Sequence, residues 1–136
     1  MATTNEMIFV FGSNLAGRHG RGAAKYAREK LGAEYGVGEG PTGFCYALPT
    51  KDENIRTRSL QDIEKSIVRF LEYADQSSDV FKVTPIGCGL AGYSVKQIRA
   101  IFLKYPIPEN VVFSREWFQV YKEDKTKWQT PNQRKG

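Results

Sequence analysis

The stretch that decides the fold is Phe81 to Tyr93, with the sequence FKVTPIGCGLAGY. Its apolar run from Val83 to Ile86 predicts a buried strand. Glycines then allow a tight turn, and Ser94 can cap a helix that begins at Val95. Helix N-termini carry unpaired N–H groups and a partial positive charge, which attract anions. The stretch is therefore typical of a strand, loop and helix that hold a phosphate.

The same loop has the spacing G-x-G-x-x-G of dinucleotide-binding proteins, at Gly87, Gly89 and Gly92. A nicotinamide-binding fold also needs a second strand with an acidic end roughly 20 residues further on. No clean strand of this kind follows in the sequence. We therefore interpret the loop as a phosphate loop, with nicotinamide binding as the less favoured alternative.

The same pattern occurs near the start of the chain. Met7 to Phe11 is a short apolar run that predicts a strand buried on both faces, and a helix is predicted from Ala23 to Leu31. The segment between them, GSNLAGRHGRG, is also a glycine-rich loop and is the first of the two along the chain. Two helix N-termini at one edge of a sheet can hold a diphosphate, so the two loops together are more specific than either alone.

Three polar side chains of this first loop are candidates for ligand contact. Asn14 has an amide donor and an acceptor that suit ribose hydroxyls, and His19 and Arg21 can contact an anion. Alternatively, Asn14 closes a turn, His19 is exposed to solvent and Arg21 is a solvated charge.

The middle of the chain contains the other candidates for chemistry. Residues 32–43 predict a loop, and Phe44 to Leu48 predicts a strand that ends at Pro49. Lys51 and Asp52 follow. A lysine in an apolar pocket loses its proton and becomes a nucleophile, and a neighbouring carboxylate can transfer protons. The alternative interpretation is a surface salt pair.

The remaining predicted elements supply the core. Ser59 with Asp62 and Ser94 with Gln97 have the spacing of capping boxes at the start of two helices. The second of these helices is predicted to end before Pro106. The helix that begins after Ser59 has an apolar face made of Leu60, Ile63, Ile67, Phe70, Leu71 and Ala74. After the second helix, a last strand is predicted at Asn110–Phe113 and a closing helix at Arg115–Glu123.

Composition and length limit the class of protein. The chain has 136 residues, of which 40% are hydrophobic and 26% charged, as in an ordinary single globular domain. No apolar run approaches the ~20 residues of a membrane span, and no basic region precedes the first apolar run as in a signal peptide. We therefore expect a cytoplasmic protein with no membrane partner.

The net charge of +5 is concentrated in residues 122–136, which carry +3. We interpret residues 1–121 as one domain and 122–136 as a polar, basic and flexible tail. Alternatively, Trp128 among the lysines stacks on a nucleic acid base.

Cys45 and Cys88 lack the spacing of a zinc site or a disulfide framework, so we expect reduced thiols, no metal and no cofactor.

Strands that alternate with helices predict an α/β domain with three layers and a mixed, mostly parallel sheet. Three motifs also resemble the macrodomain superfamily. GSNLAGRHGRGAA resembles its first ligand loop, and TPIGCGLAGY resembles its phosphate loop. ALPTKD with the following helix is similar to the branch that includes the terminal ADP-ribose protein glycohydrolases and their ALC-type relatives. The resemblance covers about residues 7–121, and the joint order of the motifs is more specific than any one of them.

The resemblance implies a pocket for ADP-ribose. Asn14 would contact the distal ribose, and Lys51 matches the position of the lysine that attacks the anomeric carbon in the glycohydrolases. That branch has an aspartate where this chain has Ala91, which removes a partner for proton transfer. The residues that would line the pocket are Asn14, His19, Gly20, Arg21, Gly22, Ala23, Gly87, Cys88, Gly89, Leu90, Ala91, Gly92 and Tyr93, with Lys51 and Asp52 as the catalytic candidates.

Three functions agree with these residues. The first is a binding module for ADP-ribose or a derivative. The second is a hydrolase that removes ADP-ribose from protein or nucleic acid, or hydrolyses a phosphorylated ADP-ribose, with Lys51, Asp52 or His19 compensating for Ala91. The third is a related sensor of another nucleotide, cyclic or signalling, that shares the glycine loops.

Overall fold

A computed structural model describes residues 6–89 and 91–119. Five strands and four helices follow one another along this part of the chain. They are β1 (Met7–Asn14), α1 (Gly22–Lys30), β2 (Gly40–Thr42), β3 (Cys45–Lys51), α2 (Leu60–Asp75), β4 (Val80–Val83), α3 (Val95–Phe102), β5 (Val111–Phe113) and α4 (Glu116–Gln119).

The five strands form one sheet in the order β2-β3-β1-β4-β5. β1 lies at its centre and pairs in parallel with β3 on one side and with β4 on the other, and β5 continues the parallel pairing beside β4. Only β2 is antiparallel, at the edge next to β3. The α/β class and the mixed, mostly parallel sheet are therefore confirmed.

Hydrophobic clusters lie on both faces of the sheet. Successive side chains of a strand point to opposite faces. In β1, Ile8 and Val10 belong to the cluster that contains α2 and α3, while Phe11 belongs to a second cluster with Ala24 and Ala27 of α1. Strand β1 is buried on both sides, as its continuous apolar sequence predicts. The helix that follows β1 thus covers one face, and those that follow β3 and β4 cover the other.

The helix starts follow the predicted capping. The Ser59 side chain accepts a hydrogen bond from the Asp62 N–H (3.1 Å) at the start of α2. At the start of α3, Ser94 and Gln97 form both hydrogen bonds of a capping box. The apolar face predicted for α2 is also confirmed, since five of its six residues are buried and Leu60 packs against the same cluster.

Strand β4 ends earlier than predicted. It covers Val80–Val83, so the expected strand from Val83 to Ile86 is wrong. Thr84 still donates its N–H to the Val10 carbonyl (3.1 Å), but Pro85 has no N–H to continue the ladder. The chain turns immediately, and the Ile86 N–H donates to the Thr84 carbonyl (2.6 Å).

Strand β3 runs longer than predicted, through Pro49 to Lys51. Backbone N and O of one strand residue point to the same side, and the Pro49 carbonyl accepts from the Arg58 guanidinium (2.8 Å) on the side away from β1. On that side the pairing between β2 and β3 extends only to the Gly40–Ala47 pair. Pro49 therefore has no partner in β2, and its missing N–H costs no hydrogen bond of the sheet. The proline therefore sits at an open flank of the strand.

One further prediction is wrong, whereas the end of α3 agrees with the sequence. Residues 32–43 were expected to have no regular structure, but they contain strand β2. The sequence of β2, GPT, does not favour a strand, and β2 forms because it pairs with β3. Helix α3 ends at Phe102, before Pro106. Helix α4 covers Glu116–Gln119 of the predicted closing helix, and the rest of that helix, the tail and Leu90 lie outside the described residues.

Candidate functional site

The carboxyl ends of three neighbouring strands meet at one point. An added Cβ on Gly12 in β1 would lie 3.5 Å from Thr50 Oγ1 in β3 and 3.6 Å from the Gly87 nitrogen after β4. At the last pair of the β1–β3 ladder, Asn14 lies opposite Lys51. Both glycine loops and the segment at Lys51 therefore begin at the carboxyl ends of neighbouring strands, as expected from their positions after strands.

The chain leaves this edge in opposite directions. The loop after β1 leads to α1 on one face, whereas the loops after β3 and β4 lead to α2 and α3 on the other. In open α/β sheets such a reversal leaves a crevice outside the strand ends, and ligands bind there. The candidate site is the crevice between residues 14–23, called here the first loop, and residues 87–93, called the second loop.

In the first loop, Asn14 closes a turn. Its Oδ1 accepts the Arg18 N–H (2.9 Å), and its Nδ2 donates to the Arg18 carbonyl (2.8 Å). This agrees with the turn interpretation of Asn14. An asparagine amide has two N–H donors and two lone pairs, so this half-exposed side chain keeps one of each for a ligand. Ligand contact by Asn14 stays a prediction.

His19 lies inside the protein, and neither of the two interpretations of it from the sequence describes this position. Its side chain is 0% exposed. Nε2 lies 3.1 Å from the Val37 carbonyl oxygen, and the ring packs edge-on against Phe11 and Tyr35. Burial lowers the pKa of His19 below its ordinary 6.5. The hydrogen bond to the Val37 carbonyl raises the pKa in part, and the positive charge of Arg28 lowers it again. A direct contact between this ring and a ligand would require the loop to open.

The start of α1 is open to solvent. Gly20, Arg21, Gly22 and Ala23 are all exposed. Arg21 is the N-cap residue, but its side chain makes no capping hydrogen bond, and the first turn contains no acidic residue. The first helical turn therefore exposes its N–H groups and the positive end of the helix dipole to solvent, without a carboxylate in the same turn to compensate them.

The second loop is closed by its own backbone. Gly92 donates its N–H to the Gly89 carbonyl (3.0 Å), and Tyr93 donates to the Gly87 carbonyl (2.8 Å). Gly87 has φ +75°, a conformation that suits glycine. Gly89 is exposed, and an added Cβ there would meet no atom within 4 Å. Cys88 and Ala91 are half-buried. The loop is thus a preformed turn with open space above Gly89.

Residues 52–58 hold the second loop from the side. Thr57 donates its hydroxyl to the Ala91 carbonyl (2.9 Å), and the Tyr93 hydroxyl donates to the Arg58 carbonyl (2.7 Å). The spacing of Thr57 and Arg58 in the sequence carries no signal for these contacts, so they were not predicted. The Tyr93 hydroxyl connects the second loop to residues 52–58, and a place for Tyr93 in the pocket lining stays a prediction.

Lys51 and Asp52 have different surroundings. Lys51 is half-buried at the end of β3, and its carbonyl accepts the Leu15 N–H (2.9 Å). The Asp52 carboxylate accepts the N–H groups of Arg56 (2.9 Å) and Asn54 (2.8 Å). These bonds, led by the one from Arg56, lower the pKa of Asp52. Among the described residues no ion pair joins Lys51 to Asp52, so the expected salt pair is not found there.

Neither cysteine has the properties of a reactive thiol. Both are free, as expected, and burial raises the pKa of Cys45 to about 11 and that of Cys88 to about 12. In residues 6–89 and 91–119, no three His, Cys, Asp or Glu side chains cluster as a metal site requires. In the same ranges no helix combines the length and the apolar content needed to cross a membrane.

A separate open groove of about 470 Å³ lies along the outer side of α2, beside Tyr105. Here the Glu64 carboxylate accepts hydrogen bonds from the Tyr105 hydroxyl and from Lys104. None of the residues predicted to bind a ligand lines this groove. The groove is therefore separate from the first and second loops.

Comparisons of the chain with protein-family models, with curated proteins and with solved structures find no match.

Proposed function

We propose that the chain binds ADP-ribose, or a derivative of it, in the crevice between the first and second loops. The observation that carries this proposal is the convergence of two glycine loops at the point where the chain reverses direction around β1. A crevice at such a point takes an elongated ligand across the strand ends. The order of the three motifs resembles macrodomains, whose ligand is ADP-ribose.

The anionic centre of this ligand suits the first loop. A diphosphate needs N–H donors and positive charge, and the start of α1 supplies both without a side-chain cap or an acidic residue in its first turn. Arg21 and Lys25 are exposed and add two cations beside it. The space above Gly89 in the second loop leaves room for the other side of the diphosphate.

The ribose that follows would contact Asn14. Its two hydrogen bonds to Arg18 fix the amide in one orientation, and the remaining N–H and lone pair suit two neighbouring hydroxyl groups. A side chain that is already fixed loses little conformational entropy when it binds. The ribose would then lie close to Lys51, which is opposite Asn14 in the ladder.

Binding rather than hydrolysis is the function that the site supports best. The Asp52 carboxylate holds the turn with Asn54 and Arg56, and position 91 has no carboxylate. Hydrolysis of ADP-ribosyl adducts on protein or nucleic acid is the second candidate, and the half-buried position of Lys51 at the site favours it. Either function, binding or hydrolysis, would take place in the cytoplasm and without a metal or cofactor.

Calorimetric titration with ADP-ribose, ADP and NAD tests the proposal. We expect ADP-ribose to bind with a micromolar Kd and more tightly than the other two. Gly20→Leu and Gly89→Leu place a side chain in the crevice where a Cβ meets no protein atom, so they should weaken binding at least about tenfold without unfolding the protein. Ala100→Leu on the exposed side of α3 adds a similar bulk away from the loops and serves as the control.

Wild-type protein that gives no heat with any of the three nucleotides would refute the ADP-ribose proposal. Unchanged affinity in both glycine variants would refute the assignment of the loops. Turnover of an ADP-ribosylated peptide or oligonucleotide, lost in Lys51→Ala while ADP-ribose still binds, would establish hydrolysis as well. Equal behaviour of wild type and Lys51→Ala would show that the lysine has no catalytic part.

A further inference from the structure

His19 is the only histidine of the chain and lies at the contact between two loops. Its ring centroid is 5.3 Å from that of Phe11 and 6.0 Å from that of Tyr35, with both contacts edge-on. Nε2 is paired with the Val37 carbonyl oxygen at 3.1 Å. Nδ1 is buried and has no hydrogen-bond partner among the described residues.

The His19 ring makes one of several contacts between the first loop and residues 34–38. The Gly36 N–H donates to the Gly17 carbonyl (2.8 Å), and the Ser13 hydroxyl donates to the Gly38 carbonyl. These contacts are between neutral groups and do not change between pH 5 and 8. The His19 imidazole is the group in this contact whose ordinary pKa, 6.5, lies in that range.

Apart from the Val37 carbonyl, which raises the pKa of His19, the surroundings of the ring make a positive charge on it unfavourable. From α1, the Arg28 Nε donates to the His19 carbonyl (2.9 Å), which places a guanidinium close by. From residues 34–38 the neighbour is the Tyr35 ring, and from β1 it is the Phe11 ring. No carboxylate of the described residues hydrogen bonds to the imidazole. Protonation would also give Nδ1 a buried N–H without an acceptor.

We propose that neutral His19 is a pH-sensitive latch that holds the first loop against residues 34–38, and that protonation of its imidazole releases the loop. Water then reaches Nδ1 and removes the unsatisfied donor. The released loop carries Asn14 and the start of α1, so its opening alters the candidate site. The latch is a property of the free protein and does not depend on which ligand binds.

The sign of the pH dependence follows from burial. The pKa of His19 lies below 6.5 in the closed loop and returns towards 6.5 once the loop is open and the ring is hydrated. Above pH 6.5 the ring is neutral in both states and the latch has its full strength. As pH falls below 6.5 the open state binds a proton first, and the opening equilibrium rises up to tenfold per pH unit until the closed-state pKa is reached.

Amide hydrogen exchange, measured without ligand at pH 7.5 and 5.0 and corrected for the intrinsic rate at each pH, tests the latch. In wild-type protein the protection of the Gly17, Arg18 and Gly36 amides should be lower at pH 5.0 than at pH 7.5, by up to about thirtyfold, while that of α2 stays constant. His19→Gln keeps a neutral N–H donor for the Val37 carbonyl and cannot titrate, so its protection should be equal at both values. Constant protection in wild type, or an equal fall in His19→Gln, would overturn the proposal.

An NMR titration of the His19 ring in wild-type protein decides the matter if the variant does not fold. An imidazole pKa below 6.5, with loop amide shifts that titrate at the same pH, is expected. A pKa at or above 6.5 would overturn the latch. Failure of ADP-ribose to bind would refute the proposed function and leave this exchange result unaffected, so the two failures can be told apart.

Discussion

Gly17 lies in the first loop at the point where its backbone touches that of Gly36. It has φ +73°, and a Cβ at this position would overlap the carbonyl carbon of Gly36. Gly17→Ala therefore combines backbone strain with a collision that neither loop can relieve by rotating a side chain. We expect it to lower the free energy of unfolding by about 2–4 kcal/mol, measured by urea denaturation.

Gly89→Ala is the matched control for this prediction. Gly89 does not have a positive φ, and its added Cβ would meet nothing within 4 Å, so its stability should stay within about 0.5 kcal/mol of wild type. Equal stabilities for the two variants would contradict the structural role of Gly17.

The sequence predicted where the glycine loops begin in the fold better than it predicted which contacts their side chains make. The position of Asn14 after a strand indicated the site, but its turn depends on Arg18, which no motif singled out. The position of His19 among glycines suggested either contact with an anion or a side chain exposed to solvent. Its burial depends on Tyr35 and Val37, which a nine-residue helix separates from it in the chain, so only the folded loop could show it.

At the scale of single elements, the capping box of α3 gives the clearest prediction. Ser94 accepts from the Gln97 N–H (3.1 Å), and the Gln97 side chain accepts from the Ser94 N–H (2.9 Å). Ser94→Ala removes the acceptor for the Gln97 N–H and should cost about 1 kcal/mol of unfolding free energy in urea titrations. Ser78→Ala, at an exposed serine outside the helices, should change stability by less than about 0.5 kcal/mol. A Ser94→Ala variant as stable as Ser78→Ala would show that the box contributes nothing.

Helix starts were predicted correctly because their signals are local, as Ser59 and Ser94 show. Strand limits were not, because they depend on neighbours that are distant in sequence. Pro49 continues β3 only because β2 ends before it, and β2 itself exists only through its pairing with β3. Local sequence favours a break at both places.

At the scale of the whole molecule, stability should fall from the centre of the sheet to its edge. Val10 in β1 is fully buried under α2 and α3, whereas Val112 in edge strand β5 is half-buried. We expect Val10→Ala to cost about 2–3 kcal/mol and Val112→Ala less than about 1 kcal/mol, because only the first leaves a cavity in the main cluster. Urea unfolding measures both, and a reversed order would mean that β1 is not the centre of the stable core.

The position of β1 also has a consequence for synthesis. This strand precedes both of its partners in the chain, since β3 begins at Cys45 and β4 at Val80. On the ribosome it must wait for roughly 70 further residues before both of its edges are paired, with its apolar side chains unprotected meanwhile. Such long-range parallel pairing slows folding and exposes the nascent chain to aggregation. A chaperone that binds short apolar segments would therefore be expected to recognise residues 7–11 on the growing chain.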